Sequence, residues 1–174
     1  RRAAMLTRET IEEAFVRMNS ELDRLGVRAE CYLVGGAVMC VALNARASTK
    51  DVDGWFTEPR TVRRVARTVA ESMDLPEDWL NDAAKAFIPP NARFEAWLSM
   101  THLDVCVADV RTLLAMKCAA ARTQEDAADI RFLTTRLGLQ TSAAVLEVVL
   151  AYYPAARLPV RTQLLLEEML DDCE

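Results

Sequence analysis

Apolar residues recur at spacings of three and four from Ile11 through Ala14, Phe15, Met18 and Leu22 to Leu25, which predicts an amphipathic helix over residues 10–25. Thr10 followed by Glu13 reads as a capping box at its start, and Gly26 suits a left-handed stop at its end. The short apolar run Cys31-Tyr32-Leu33-Val34 reads as a strand ending at Gly35-Gly36, and residues 37–44 read as a helix. A second strand is expected over 51–56, a helix opened by Pro59 over 59–73, and a short helix over 77–86 before the breaker Pro89-Pro90. Residues 93–98 and 103–108 form two strands of a hairpin that turns at 99–102. Four helices follow, over 111–121, 125–136, 142–152 and 160–170, punctuated by Gly138, Pro154 and Pro159.

This order of elements predicts an α/β (α+β) fold, a small mixed sheet flanked by helices and followed by a C-terminal helical bundle. No internal repeat or linker-like tract interrupts it. Residues 1–110 are expected to form the core with its N-terminal helix, and residues 111–174 a helical region packed on that core as one compact unit. A chain of 174 residues fits one domain, and 52% hydrophobic with 27% charged residues can bury a core, which excludes a disordered chain. The longest apolar candidate, residues 143–150, is broken by Glu147 and falls short of the ~18 residues a membrane helix needs. Arg1-Arg2 is not followed by an apolar run, so no secretory leader is expected, and a cytoplasmic protein without a membrane partner is. Five cysteines with no Cys-x-x-Cys pair, beside the single His102, exclude a disulfide framework and a zinc site. Four of the five (Cys31, Cys40, Cys106 and Cys118) sit in apolar runs and are expected in the core.

Candidate chemistry begins at Asp51-Val52-Asp53. Residues two apart on a strand point to one face, so the two carboxylates converge, and a divalent cation between them relieves the repulsion. All-oxygen ligation favours Mg2+ or Mn2+. Gly35-Gly36, between a strand and a helix, permits close approach of the backbone to a phosphate, so that a glycine turn stands beside a metal site. Asp104 in the later strand supplies a third carboxylate if its strand neighbours the first pair. Trp55, Trp79 and Trp97 are too scattered to make a stacking platform and read as core or rim residues, and His102 is given no role.

These residues resemble the signature of the polymerase-β-like nucleotidyltransferase superfamily. The match runs through Leu33-Val34-Gly35-Gly36 and Arg46-Ala47-Ser48-Thr49-Lys50-Asp51-Val52-Asp53. It is most similar to the minimal bacterial nucleotidyltransferases related to the AbiEii and MenT toxin proteins. It continues through Leu113-Leu114-Ala115-Met116-Lys117 and Asp126-Ala127-Ala128-Asp129, and covers roughly residues 31–137. The resemblance implies a nucleoside triphosphate bound with Mg2+ (or Mn2+), Asp51 and Asp53 holding the metal and Asp104 a further candidate ligand. It implies that Gly35, Gly36, Arg46, Ser48 and Thr49 contact the nucleotide, and that Lys117, early in its helix, reaches phosphate oxygens. Asp129 would complete the catalytic set, and Asp126, one turn earlier on the same face, is the alternative nucleotide contact.

The implied reaction moves a nucleoside monophosphate from the triphosphate to an acceptor hydroxyl. Arg60, Arg63, Arg64 and Arg67 recur at helical spacing on one face and can grip a phosphate backbone, although a solvated face opposite Val62, Val65, Ala66 and Val69 explains them too. The toxin-like relatives act on transfer RNA 3′ ends, so RNA is the leading acceptor and a cognate antitoxin an expected partner. A small molecule or a protein side chain as acceptor, and a non-catalytic nucleotide-binding module, are the competing readings.

Overall fold

The computed structural model describes residues 5–120 and 122–171. Residues 1–4, residue 121 and residues 172–174, including Cys173, lie outside the described residues. The chain divides into two compact units, Arg1–Ala86 with Phe94–Ala108, and Phe87–Arg93 with Asp109–Glu174.

The first unit opens with β1 (Leu6–Thr7) and α1 (Arg8–Leu25). The helix begins one turn share earlier than the Thr10/Glu13 pattern predicts, because Thr7 is the cap and its hydroxyl accepts the Thr10 N–H at 3.2 Å. The predicted stripe holds through Leu22, with Ile11, Ala14, Phe15, Met18 and Leu22 buried; Leu25, expected in it, is exposed in the last turn, and Gly26 at φ +67° ends the helix. β2 (Ala29–Val34) leads into α2 (Gly36–Val41), which stops earlier than expected as Asn44 turns to positive φ. β3 (Ser48–Thr49) pairs antiparallel with β1. β4 (Val52–Phe56) precedes α3 (Pro59–Met73), whose bounds agree with the sequence pattern and which buries Val62, Val65, Ala66 and Val69.

The helix expected over 77–86 does not form. Trp79 is fully buried with its indole N–H donated to the Ala66 carbonyl at 2.9 Å, which pulls the segment into β5 (Leu80–Asn81) beside β4. β6 (Phe94–Ser99) and β7 (Leu103–Ala108) make the expected hairpin, with a register shift between Ala96 and Leu98. The strands form a mixed five-stranded sheet in the order β5-β4-β2-β7-β6, with β2 antiparallel to β4 and parallel to β7. Ala29, Cys31, Leu33, Val52, Phe56, Leu103 and Val105 alternate onto its buried face, whereas Glu30, Tyr32, Trp55, Asp104 and Cys106 alternate onto the other.

The second unit is helical, with α4 (Val110–Ala119), α5 (Thr123–Leu137), α6 (Ser142–Leu150) and α7 (Val160–Leu170). Asp109 caps α4 by accepting the Thr112 N–H at 2.8 Å, and Thr141 caps α6 by accepting the Ala144 N–H at 3.2 Å. Leu113, Leu114, Cys118, Ile130, Leu133, Val145, Val149 and Leu166 form its core. Asp171 joins the end of α7 to the start of α6 by accepting the Ser142 N–H at 2.9 Å and the Ser142 hydroxyl. No helix among the described residues is long and apolar enough to cross a membrane. Cys31, Cys40 and Cys118 are buried as expected, whereas Cys106 is only half-buried on the second face of the sheet.

Candidate functional site

The glycine turn and the paired aspartates meet at one end of the sheet in the first unit, where β2 finishes and β4 begins. β2 ends at Val34, which stands opposite Asp53 in the antiparallel register with β4, so Gly35 follows directly beside the carboxylate strand. Gly35 adopts φ +71°, open to glycine and costly for other residues. A Cβ on Gly36 would fall 3.0 Å from an Arg46 guanidinium nitrogen and 3.3 Å from the Thr49 hydroxyl oxygen. The bare backbone at Gly36 is therefore covered by a cation and a hydroxyl donor, both suited to phosphate oxygens. Thr49 is buried, its hydroxyl donating to the Asp51 carbonyl at 3.2 Å, and Ser48 pairs with Thr7 in the small β1–β3 sheet.

Asp51 is exposed just before β4, and Asp53 is half-buried on it. Burial pushes the Asp53 carboxyl above the ordinary carboxylate range, and the neighbouring charges of Asp51 and Asp82 push the same way. The Ala84 N–H, donated to Asp53 Oδ1 at 3.2 Å, works in the opposite direction. A carboxylate whose ionisation is opposed by burial and by another carboxylate is the environment in which a divalent cation is most stabilising. Mg2+ takes one or two protein carboxylates and completes its shell with water and substrate phosphates, so Asp51 and Asp53 fit it.

Asp104 does not join them. The parallel register puts it opposite Glu30 at the start of β2, four residues from Val34, or about 13 Å along the strand. There it accepts a hydrogen bond from Arg28 at 2.9 Å. Among the described residues no group of three or more Asp, Glu, His or Cys side chains is arranged to hold a metal, so the expected three-carboxylate cluster is corrected to a pair.

The arginine stripe on α3 is exposed throughout, but its members differ. Arg63 pairs with Asp82 at 2.5 Å and Arg67 with Glu77 at 3.2 Å. The Arg60 and Arg64 side chains have no ion-pair partner among the described residues; the Arg64 carbonyl accepts the Thr68 hydroxyl at 3.2 Å.

In the second unit Lys117, Asp126 and Asp129 come together. Lys117 lies in the last turn of α4, not early in its helix as expected, and is only 7% exposed. Its Nζ is 2.9 Å from Asp126 Oδ1 and 2.9 Å from Asp129 Oδ2. Both aspartates face it because they lie three apart on α5. Asp126 Oδ2 is buried without a hydrogen-bond partner, with Arg122 Nε 3.8 Å away. The choice between Asp126 and Asp129 thus dissolves at this level, since both hold the same ammonium.

Three participants were not singled out from the sequence. Gly54 follows Asp53, and a Cβ there would fall 2.4 Å from the Tyr32 carbonyl oxygen, so glycine sets the close β2–β4 approach; a glycine inside a strand is the available signal. Asp82 and Ala84 reach Asp53 from the segment after β5, where Asn81 Oδ1 accepts the Ala83 N–H and favours a turn over a helix. Trp79 and Trp97 pack edge-on against Phe15, at centroid distances of 5.5 and 6.2 Å, in keeping with core and rim roles. Trp55 instead stands beside Tyr32 with ring centroids 5.1 Å apart. Compared with protein-family models, with curated proteins and with solved structures, the chain matches none.

Proposed function

We propose that this chain is a magnesium-dependent nucleotidyltransferase that moves a nucleoside monophosphate from a nucleoside triphosphate to an acceptor hydroxyl, with an RNA 3′ end, in particular that of transfer RNA, as acceptor. The observation that carries the reading is the register of Val34 with Asp53, which sets the Gly35-Gly36 turn beside Asp51 and an Asp53 carboxylate whose charge is opposed by burial. Asp51 and Asp53 would hold the metal, which when bound neutralises phosphate charge and eases deprotonation of the attacking hydroxyl. The Arg46 guanidinium against Gly36 would bind phosphate oxygens there, joined by the Thr49 hydroxyl once it turns from the Asp51 carbonyl.

For Lys117, Asp126 and Asp129 the reading keeps the roles that the resemblance implies. Within the second unit, an ammonium has three donors, and the two carboxylates occupy two of them. Arg60 and Arg64, exposed on the helix that follows β4, suit an RNA backbone better than Arg63 and Arg67, which already answer Asp82 and Glu77. A toxin role with a cognate antitoxin belongs to the same reading.

The test is incubation with each α-labelled nucleoside triphosphate, Mg2+ and total RNA, beside Asp53→Ala. Label entering transfer RNA from the wild type alone supports the reading. Triphosphate binding without RNA labelling moves the acceptor to a small molecule or a protein, and no triphosphate binding at all overturns the transferase.

A further inference from the structure

We propose that Trp55 and Tyr32 form a stacking platform for the terminal base of the nucleic-acid acceptor. This rests on the transferase reading above and adds a site to it. Trp55 lies two residues beyond Asp53 on β4, hence on the same face of the sheet and about 7 Å farther from the glycine turn. Tyr32 stands opposite it on β2, the two rings tilted by 36°. On its other side Tyr32 meets Phe94 edge-on at 5.2 Å. The Tyr32 hydroxyl donates to Glu30 at 2.8 Å, which fixes the ring at both ends. Trp55 is 37% exposed at the open end of this row. A ring already held in place loses little conformational freedom when a second ring is laid on it.

The surroundings say what kind of group fits. Glu30 and Asp53 share this face with no cation paired to them among the described residues, and Asp104 at its far end is answered by Arg28, so a phosphate backbone laid flat from Asp53 past Glu30 would be repelled. A neutral, planar group with N–H donors on its edge would not, and a nucleobase is such a group. The order of parts along β4 says which nucleobase. In-line transfer sets the attacking and leaving oxygens on opposite sides of the reacting phosphorus. With the leaving phosphates at the glycine turn on one side of Asp53, the acceptor comes from the other side, where Trp55 and Tyr32 lie.

The experiment has two arms. A short single-stranded RNA of mixed sequence is titrated into metal-free protein while tryptophan fluorescence is followed, with Trp55→Phe to isolate the Trp55 signal. KM values for RNA and for the triphosphate are then measured separately in Trp55→Ala and Trp55→Phe. Expected are a saturable change in fluorescence that Trp55→Phe lacks, and an RNA KM raised roughly 5- to 150-fold in Trp55→Ala, the loss of about one stacked base. The triphosphate KM stays unmoved, and Trp55→Phe recovers most of the RNA affinity. An unchanged RNA KM, or an increase that falls on the triphosphate instead, overturns the platform while label transfer still upholds the transferase. RNA-dependent quenching of Trp55 in a protein that binds no triphosphate would overturn the transferase and leave a nucleobase platform standing. No quenching by RNA together with no triphosphate binding overturns both.

Discussion

Replacing Lys117 by methionine tests whether the buried cluster in the second unit is held by charge. At an effective dielectric constant of about 20, unit charges 2.9 Å apart attract by roughly 6 kcal/mol, and Lys117 makes two such contacts. Against this stand the desolvation of three nearly buried ions, several kcal/mol each, and the repulsion between Asp126 and Asp129. The intact cluster is therefore close to break-even, and its cost appears only when the balance is disturbed. Lys117→Met leaves two buried carboxylates with Arg122, 3.8 Å from Asp126, as a nearby cation among the described residues, and is expected to lose about 3–5 kcal/mol. Asp126→Asn removes one attraction together with one buried charge and its repulsion, and leaves Lys117 paired with Asp129, so it should cost less than half as much. Urea unfolding followed by far-ultraviolet circular dichroism measures both. A Lys117→Met protein no less stable than Asp126→Asn would refute the account, since it would mean that the lysine contributes packing and not charge.

Three further outcomes follow from the first unit. Gly54→Ala would drive a methyl group to 2.4 Å from the Tyr32 carbonyl oxygen, so β2 and β4 must separate; a loss of roughly 1–3 kcal/mol in urea unfolding is expected, and a wild-type midpoint would show that the strands have slack. Asp53 has a folded pKa above its ordinary 3.8, so its contribution to stability is most favourable below that value and is lost as pH rises through the raised one. Asp53→Asn should therefore melt higher than wild type at pH 7, the gap should close under acidic conditions, and Mg2+ should raise the melting temperature of the wild type alone; a destabilised Asp53→Asn at pH 7 would contradict the sign. Charge reversal at Arg60 and Arg64 should weaken RNA binding and flatten its salt dependence more than reversal at Arg63 and Arg67, and equal effects would argue against a divided stripe.

What could be read from the sequence was what depends on neighbours along the chain. The stripe from Ile11 to Leu22 and the helix opened by Pro59 carry their own period and punctuation, so their bounds or faces came through. β1, β3 and β5 have two residues each and owe their existence to distant partners, Leu6 to Thr49 and Val52 to Leu80, so no local pattern announces them. The candidate site divides in the same way. Asp51 and Asp53 are legible together because they share one short segment, and Asp126 and Asp129 because they are a helical turn apart. A third carboxylate beside the first pair depends instead on which strands pair and in which direction. β2 and β7 run parallel, so the start of one lies beside the start of the other, and Asp104 is carried to the end of the sheet opposite the glycine turn. A carboxylate able to approach Asp53 from β7 would have to stand at that strand's C-terminal end on the face of Cys106, one residue beyond Val107, which pairs with Leu33 on the buried face. The pairing of two carboxylates without a third is thus a consequence of strand direction, and on the transferase reading a metal bound there would complete its shell with water and substrate oxygens.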